Sequence, residues 1–250
     1  MSNKKRKNAP ETIYEDEAII LINKPANLLT VPDRWEPELP NLLEWLNTRH
    51  HPHKIYTVHR LDADTSGIVI FAKSAAAHRH LCVQFEQQQV HRIYLGLVNG
   101  VMPTSHGEIN LPLAESPHKP GMMMIKKGGK AAITYWEVLE QFRNYTYLKI
   151  IPQTGRMHQI RVHLKHIGYP LLLDLKYNIH NPIYLSQLKK NYIPKPEQLE
   201  KPLIDRLALH ASELSFIHPL TGQLYQMTCD LPKDFKATLR NLRKYRGLKP

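Results

Sequence analysis

Short apolar runs with many β-branched residues recur along this chain of 250 residues and constrain its fold more than any other feature. Runs of this length, bounded by Asn, Gly or Pro, are typical of strands. Two of them, 131–138 and 145–150, alternate apolar and polar residues with a period of two, which predicts an antiparallel pair. We predict strands at Ala18–Ile22, Ile68–Lys73, Tyr94–Val98, Ala131–Val138 and Tyr145–Ile150, and a closing hairpin from Leu207–Phe216 and Leu224–Thr228.

Fewer segments have the pattern of a helix. Leu42–Leu46 has the apolar spacing of one face of a short helix, and Ser74 is suited to cap a helix over residues 75–89. A third helix is predicted over Arg156–Ile167, ended by Gly168. Strands mixed with a few helices predict an α+β fold, in which flanking helices cover a mixed, largely antiparallel sheet.

The composition is that of an ordinary globular chain, with 42% hydrophobic and 22% charged residues. No apolar run approaches the roughly 20 residues of a membrane span, and the first residues contain no apolar signal segment. The two cysteines, Cys82 and Cys229, make neither a disulfide framework nor a CxxC motif. We therefore expect a protein of the reduced cytoplasm, without membrane attachment.

The net charge of +12 is concentrated at the two ends of the chain. Residues 4–7 are all basic, and the segment after Phe235 holds six further basic residues and no acid. Basic ends on a nearly neutral body suit contact with phosphate, although charged tails can also serve solubility alone. The predicted organisation is a basic disordered tail over 1–10, one folded domain over 11–235 with an inserted surface loop over 176–203, and a basic tail over 236–250.

Asp62 is the first candidate for chemistry, because it lies directly before the apolar strand predicted at Ile68–Lys73. A carboxylate at the end of such a strand is costly to bury unless it is paired or used. It could cap the turn Thr65-Ser66-Gly67. It could equally be a nucleophile or a general acid or base whose charge is balanced by a cation. Arg60, two residues away, would share its face on an extended chain.

The segment Thr154–His163 is a second polar motif that could supply such a cation. On a helix, Arg156, Gln159 and His163 would share one face because they lie three and four residues apart. Arg161 would face elsewhere, so the helix could present polar groups to phosphate on one side and a cation to a carboxylate on the other. The alternative is a solvated basic helix without a ligand.

Together these motifs resemble the RluA-type family of RNA pseudouridine synthases in their order and spacing. The similarity covers most of the chain, and five ordered blocks make it more specific than any single short motif. The blocks are Asn23–Pro25; His59–Asp62 with Thr65–Gly67; Tyr94; Thr154–Arg161; and Arg206–Ala211 with His218–Gly222 and Leu231–Phe235.

The resemblance implies an isomerase that flips a uridine out of structured RNA and needs no cofactor or metal. Asp62 stands at the position of the essential carboxylate, which either attacks the sugar or removes a proton from it. Tyr94 matches the aromatic residue that packs on the target base and takes part in late proton removal. The other matches are Arg60, which helps to hold the flipped-out arrangement; Ile160, in the apolar wall of the uracil pocket; Arg161, which pairs with the carboxylate; and Arg156, His158 and Gln159, which complete the predicted RNA-binding set.

The expected partner is ribosomal or transfer RNA, bound by a monomer. Only about fifteen residues precede the first predicted strand. That is too few for the small S4-type RNA-binding domain that many relatives carry. RNA selection is therefore expected to rest on the catalytic domain over 11–235, the basic ends and the insertion over 176–203.

Two positions depart from the family pattern. Asn27 stands where the family usually has Gly, and Asn is the residue that next best tolerates a positive φ. Leu172-Leu173-Asp174 stands where the family usually has Leu-Gly-Asp. We expect the first turn to be preserved and the backbone to differ locally at the second.

Three other functions are less consistent with the sequence. His78, His80 and Cys82 could suggest a metal site, but residues two apart on a helix point in different directions. Asp64 could serve as a second carboxylate beside Asp62, as in glycoside hydrolysis, but no other residue supports that reaction. An RNA-binding protein without activity is the remaining alternative, against which the complete catalytic set argues.

Overall fold

The computed structural model describes residues 9–178, 182–192 and 199–248, and these ranges contain twelve strands and five helices. The predicted tail over 1–10 lies almost entirely outside them. The strands are β1 Glu11–Glu15, β2 Ile19–Lys24, β3 Tyr56–Thr57, β4 Ser66–Ala72, β5 His91–Asn99, β6 His106–Asn110, β7 Leu113–Glu115, β8 Met123–Ile125, β9 Ile133–Phe142, β10 Tyr145–Pro152, β11 Leu209–Ile217 and β12 Leu224–Thr228. The helices are α1 Leu42–His50, α2 Ala75–Glu86, α3 Gln159–His166, α4 Leu185–Leu188 and α5 Lys233–Arg246.

The chain divides into two compact units, each built from two separate stretches of sequence. Unit 1 comprises residues up to Ile93 together with His210–Asp230, and unit 2 comprises Tyr94–Leu209 together with the residues from Leu231 onward. The single domain over 11–235 stays a prediction. The α+β class and the mixed, largely antiparallel pairing are confirmed.

Unit 1 is organised around strand β4, whose seven residues are all buried. Antiparallel β2 pairs with β4 on one side, and β11 pairs with it in parallel on the other. Ala77 and Leu81 of helix α2 pack into the same core. The predicted N-cap is confirmed, since the Ser74 hydroxyl accepts a hydrogen bond from the backbone N–H of Ala77.

Unit 2 is built on an antiparallel order of strands, β5-β10-β9-β6, with β7 and β8 as a separate hairpin. The strand pair predicted from the period-two pattern is confirmed as β9 and β10, with Ile150 opposite Trp136 and also opposite Tyr94 of β5. Asn144, with φ at 70°, makes the tight turn between β9 and β10. A side chain that supports positive φ thus stands where the hairpin reverses.

Helix α5 corrects the predicted boundary at residue 235. The supposed basic tail continues a 14-residue helix that begins at Lys233, and Phe235, Leu239 and Leu242 are buried in the core of unit 2. Their spacing of three and four residues is that of an amphipathic helix, and the density of positive charge concealed it. The basic charge therefore belongs to a packed element as far as Arg246.

The predicted insertion over 176–203 is also more integrated than a surface loop. Its described part contains the short helix α4. Ile183 and Leu188 are buried in the same core as α5, and Ile183 bridges to Ile204. Residues 179–181 and 193–198 of the insertion lie outside the described ranges.

Both positions that depart from the family pattern have a left-handed backbone conformation. Asn27 has φ at 61°, which confirms that it keeps the turn usually made by Gly. Leu173 has φ at 60°, although a left-handed conformation costs a bulky residue about 1–2 kcal/mol. Its side chain is only 2% exposed in the core of unit 2, so apolar burial offsets this cost.

The longest described helix, α5, has 14 residues and is strongly basic. Across the described ranges, no helix combines the length and apolar character needed to cross a membrane.

Truncating the apolar face of α5 should destabilise the whole protein. Leu239→Ala is expected to lower the free energy of unfolding by about 2–5 kcal/mol, because it leaves a cavity in the core of unit 2. Arg240→Ala, on the adjacent exposed position, should change it by less than about 0.5 kcal/mol. Urea unfolding followed by circular dichroism measures both, and equal small effects would show that α5 is not part of the folded core.

Candidate active site

The loop that carries Asp62 leads into strand β4 of unit 1 and is closed by a hydrogen bond from the Thr65 N–H to the Asp62 carbonyl, at 3.1 Å. Thr30, which is buried, holds the preceding residue from both sides. Its hydroxyl donates to the Leu61 carbonyl at 2.8 Å and accepts from the Leu61 N–H at 3.2 Å. Asp62 is half-buried and Arg60 is exposed, so both side chains are accessible to solvent on a loop whose backbone is held in place.

Lys24, at the end of β2, is fully buried and reaches the same loop. Its ammonium donates to three backbone carbonyls: Pro25 at 3.0 Å, Leu28 at 2.7 Å and Ala63 at 2.9 Å. A buried charge is costly unless it is hydrogen-bonded, and three carbonyls match the three donors of an ammonium. Sequence reasoning gave Lys24 no role, although a lysine that directly follows a buried strand was the available signal.

His59 supports the loop as a neutral ring. Its Nε2 accepts a hydrogen bond from the Ile70 N–H at 3.2 Å, and the ring stacks on Phe85 with centroids 4.7 Å apart. Burial, with a smaller contribution from the positive charge of Arg92, lowers the pKa of His59 to about 3. The ring is therefore unprotonated at neutral pH and can accept that hydrogen bond.

The exit of the loop is held against β11. Nδ1 of His210, a fully buried residue, lies 2.9 Å from the Ser66 hydroxyl, and its Nε2 lies 3.3 Å from the Cys229 carbonyl. Because a carbonyl only accepts, Nε2 carries a hydrogen, and in the neutral ring Nδ1 accepts from Ser66. Gly67 has φ at 117°, and a Cβ there would collide with the backbone of Ala211. Only glycine fits this exit.

In unit 2, the second motif begins its helix later than predicted. Helix α3 starts at Gln159, after His158 has taken a left-handed conformation with φ at 52°. The Gln159 Oε1 accepts from the Arg156 N–H at 3.0 Å and from the Thr154 hydroxyl at 2.7 Å, which closes the turn before the helix. The predicted common helical face of Arg156, Gln159 and His163 is therefore wrong, because Arg156 precedes the helix.

Gln159 and His163 form a buried polar network. Gln159 Nε2 donates to the Ile133 carbonyl at 2.9 Å and to the Thr134 hydroxyl at 3.0 Å. His163 Nε2 donates to the Leu111 carbonyl at 2.9 Å, and its Nδ1 lies 2.9 Å from the Thr134 hydroxyl. Burial lowers the pKa of His163, so Nδ1 accepts in the neutral ring. Because Gln159 and His163 are buried, this face is neither a solvated basic helix nor a surface that faces phosphate. The hydrogen bonds of Gln159 hold the turn before α3 against β9.

Arg161 is 1% exposed and forms a two-pronged ion pair within unit 2. Its Nε donates to Asp174 Oδ2 at 2.9 Å, and its Nη2 donates to Asp174 Oδ1 at 2.7 Å. The guanidinium also lies 5.4 Å from the centroid of the Tyr177 ring. Asp174, which sequence reasoning did not assign, follows the strained Leu173 directly. The predicted pairing of Arg161 with Asp62 stays a prediction.

The remaining predicted residues of unit 2 differ in exposure. Tyr94 on β5 and Ile160 on α3 are buried, at 9% and 7% exposure. His158 is buried, and its Nδ1 lies 2.8 Å from the Tyr177 hydroxyl. Arg156 is exposed and donates from Nε to the Ala131 carbonyl at 3.0 Å. Their proposed roles toward RNA stay predictions.

The histidines near Cys82 in unit 1 have partners within the protein. His78 Nε2 lies 3.1 Å from the Thr57 carbonyl and 3.4 Å from Cys82 Sγ, whereas His80 Nδ1 lies 3.0 Å from the Gln84 amide. Among residues 9–178, 182–192 and 199–248, no group of three or more His, Cys, Asp or Glu side chains is placed to hold a metal ion.

Comparisons with known proteins place these elements in a family context. A family model described as RNA pseudouridylate synthase matches residues 18–166. The ribosomal large subunit pseudouridine synthase D of Haemophilus ducreyi is 34% identical over 241 residues, which cover 92% of this chain and 70% of that protein. The dual-specificity RNA pseudouridine synthase RluA of Vibrio cholerae is 36% identical over 226 residues, covering 90% and 83%.

A solved structure agrees with these sequence comparisons. Human RNA pseudouridylate synthase domain containing 4 superimposes with a TM-score of 0.70 at 27% identity, over 93% of this chain and 92% of that one. The similarity therefore extends from the sequence motifs to the arrangement of the backbone.

The neutral ring of His59 should make stability sensitive to acid. Its pKa is about 3 in the folded protein and about 6.5 in an unfolded chain, so the unfolded chain binds the proton first as the pH falls. This residue should therefore reduce the free energy of unfolding between pH 6.5 and 3, by about 1 kcal/mol per pH unit. His59→Gln keeps an acceptor and removes the titration, so its stability profile between pH 4 and 7 should be shallower.

Urea unfolding across that pH range measures the effect, and the exposed His53→Gln provides a matched control whose profile should follow that of the unmodified protein. Parallel profiles for all three proteins would contradict the assignment of a neutral, partly buried His59.

Proposed function

This chain belongs to the RNA pseudouridylate synthase family, and from that premise we propose that it converts uridine within structured ribosomal or transfer RNA to pseudouridine. The observation that carries the proposal is the family match over residues 18–166, which includes both the Asp62 loop and the motif around Arg161. Relatives whose names specify the large ribosomal subunit favour ribosomal RNA as the first substrate to test. We further propose a cytoplasmic monomer.

The proposed reaction is an isomerisation in which the uracil stays with the enzyme. The bond between C1′ and N1 breaks, the base turns, and C1′ bonds to C5. The hydrogen on C5 is lost to solvent, and N1 gains a proton. Atoms therefore balance without a cofactor. Asp62 is proposed to act as a carboxylate, either by attacking C1′ or by removing a proton from the sugar, and both routes need its ionised form.

The geometry of unit 1 supports a catalytic Asp62 through the rigidity of its loop. Thr30 holds the residue before Asp62, and Lys24 holds the carbonyl of the residue after it. Ser66 and Gly67 fix the exit of the loop against β11. A reacting group held in place in advance loses less entropy in the transition state. A turn cap alone would not require three independent supports.

Unit 2 supplies groups suited to hold a flipped base. We propose that Tyr94 packs on the uracil and that Ile160 lines its pocket, since an aromatic and apolar surface offsets the cost of unstacking. Arg161 is proposed to balance the charge of the catalytic carboxylate, and its two-pronged pair with Asp174 orients the guanidinium. Exposed Arg60 is proposed to help hold the flipped-out arrangement of the uridine.

Replacing the carboxylate of Asp62 should abolish turnover while keeping the fold. Asp62→Asn is expected to reduce the rate by at least about 10²-fold, because the amide can neither attack nor accept the sugar proton. The assay is tritium release from RNA labelled at C5 of uridine, prepared from cells that lack this protein.

Asp64→Asn is the matched control for Asp62→Asn and should retain a rate within about 10-fold of the unmodified enzyme. An active Asp62→Asn protein would refute the proposed role. If the unmodified protein binds RNA and releases no tritium, the chain is an RNA-binding protein without activity.

Removing only the hydroxyl of Tyr94 should separate base stacking from proton transfer. Tyr94→Phe keeps the ring, so RNA affinity should stay within about 2-fold, whereas single-turnover tritium release should slow by about 10²-fold. Tyr147→Phe, at another buried tyrosine of unit 2, should leave the rate unchanged. If Tyr94→Phe releases tritium as fast as the unmodified enzyme, Tyr94 has no role in proton transfer and contributes only stacking.

A further inference from the structure

The exposed face of helix α5 carries an ordered row of positive charge. With 100° between successive helical residues, its exposed basic side chains fall within an arc of about 100° and extend over about 16 Å. We call this row the basic stripe; it consists of Lys233, Lys236, Arg240, Arg243 and Lys244.

The opposite face of α5 fixes the direction in which the basic stripe points. Phe235, Thr238, Leu239 and Leu242 are all buried, and the three apolar residues belong to the core of unit 2. The helix therefore cannot rotate to distribute its charges without exposing that core. The stripe is a permanent feature of the surface of unit 2.

Helix α5 contains few acidic residues of its own. Residues 233–246 contain six basic residues and one acid, Asp234. That acid is bound by Arg206, whose Nε and Nη2 donate to its two oxygens at 2.7 and 2.8 Å. Glu140 accepts from Arg243 Nε at 2.8 Å and is exposed to solvent screening. Six basic residues and one acid give residues 233–246 a formal net charge of +5.

The arrangement opposes helix stability, which argues for a partner. Like charges three or four residues apart repel each other on a helix, and the stripe contains several such pairs, among them Lys236 with Arg240 and Arg240 with Lys244. Solubility requires charge but no alignment. A row of cations is relieved of repulsion when a linear polyanion lies along it.

We propose that the basic stripe of α5 binds the phosphates of an RNA backbone, independently of base sequence. The inference rests on the proposed function, which makes RNA the natural polyanion. Contact with backbone phosphates would position the RNA and add salt-dependent affinity, while the uridine is chosen elsewhere. An anionic membrane is a poorer occupant, because a helix that binds membranes inserts its apolar face, and the apolar face of α5 is buried.

The test neutralises the stripe and measures how RNA binding depends on salt. The stripe variant combines Lys236→Gln, Arg240→Gln and Lys244→Gln. The probe is an RNA duplex of 20 G·C base pairs, which contains no uridine and so reports on backbone contact alone. Each lost phosphate contact should reduce the slope of log affinity against log salt by about 0.9, so a reduction of about 2–3 and at least a 10-fold loss of affinity at low salt are expected.

A matched control removes the same charge from elsewhere in unit 2. It combines Lys119→Gln, Lys126→Gln and Lys127→Gln, which are exposed and lie outside both α5 and the insertion over 176–203. Its slope should change by less than half as much. Neither variant should lower the thermal midpoint of the unmodified protein, since glutamine is a good helix former and the stripe variant loses like-charge repulsion.

The outcomes separate this inference from the proposed function. An unchanged slope in the stripe variant, or an equal change in the control, would overturn it, even if tritium release still depends on Asp62. A loss of binding to vesicles rich in anionic lipid, with duplex binding intact, would also overturn it and identify a membrane surface. A reduced slope in the stripe variant alone would support it, even if the protein released no tritium.

Discussion

The buried ammonium of Lys24 is the interaction on which the arrangement of unit 1 depends. It connects the end of strand β2 to the loop that carries Asp62 by donating to the carbonyls of Pro25, Leu28 and Ala63. A charge without solvent contact is tolerated only because every donor meets an acceptor at close range. Those three carbonyls must therefore stay in place for the fold to be stable. Asp62 directly precedes Ala63, so its backbone is held in place as well.

The second motif shows why polar residues in a sequence are poor guides to a surface. Gln159 and His163 are predicted from the sequence to lie on a helix face toward solvent or phosphate, yet both are buried in unit 2, as is Arg161. Their partners, Thr134, Leu111 and Asp174, come from other parts of the chain. The sequence located the motif correctly, but the partners that convert polar side chains into a packed network are long-range contacts, which no local pattern contains.

Helix α5 has one buried apolar face and one exposed basic face, but only the basic character was recognised from its sequence. The basic residues after Phe235 suggested a tail outside the domain, although Leu239 and Leu242 follow the spacing of a helix. The high density of basic residues favoured the interpretation as a tail over the helical spacing of the leucines. The structure shows that the same 14 residues complete the core of unit 2 with one face and align positive charge on the other. Packing of the apolar face fixes the orientation of α5, so its basic side chains all lie on one side of the helix.

The sequence by itself determined seven of the twelve described strands, three of the five described helices and the family, and the family resemblance identified Asp62, Tyr94 and Arg161 as candidates. The strands and helices follow from local periodicity and turn residues, and the family and the candidates follow from the ordered motifs. All of these are patterns of residues close together in the sequence. Only the tertiary structure decided that Asp174 binds Arg161, that Lys24 supports the Asp62 loop and that α5 is part of a core. Each of these depends on which distant groups meet in a desolvated interior, where an unpaired charge or carbonyl is costly, and burial is a property of the folded chain alone.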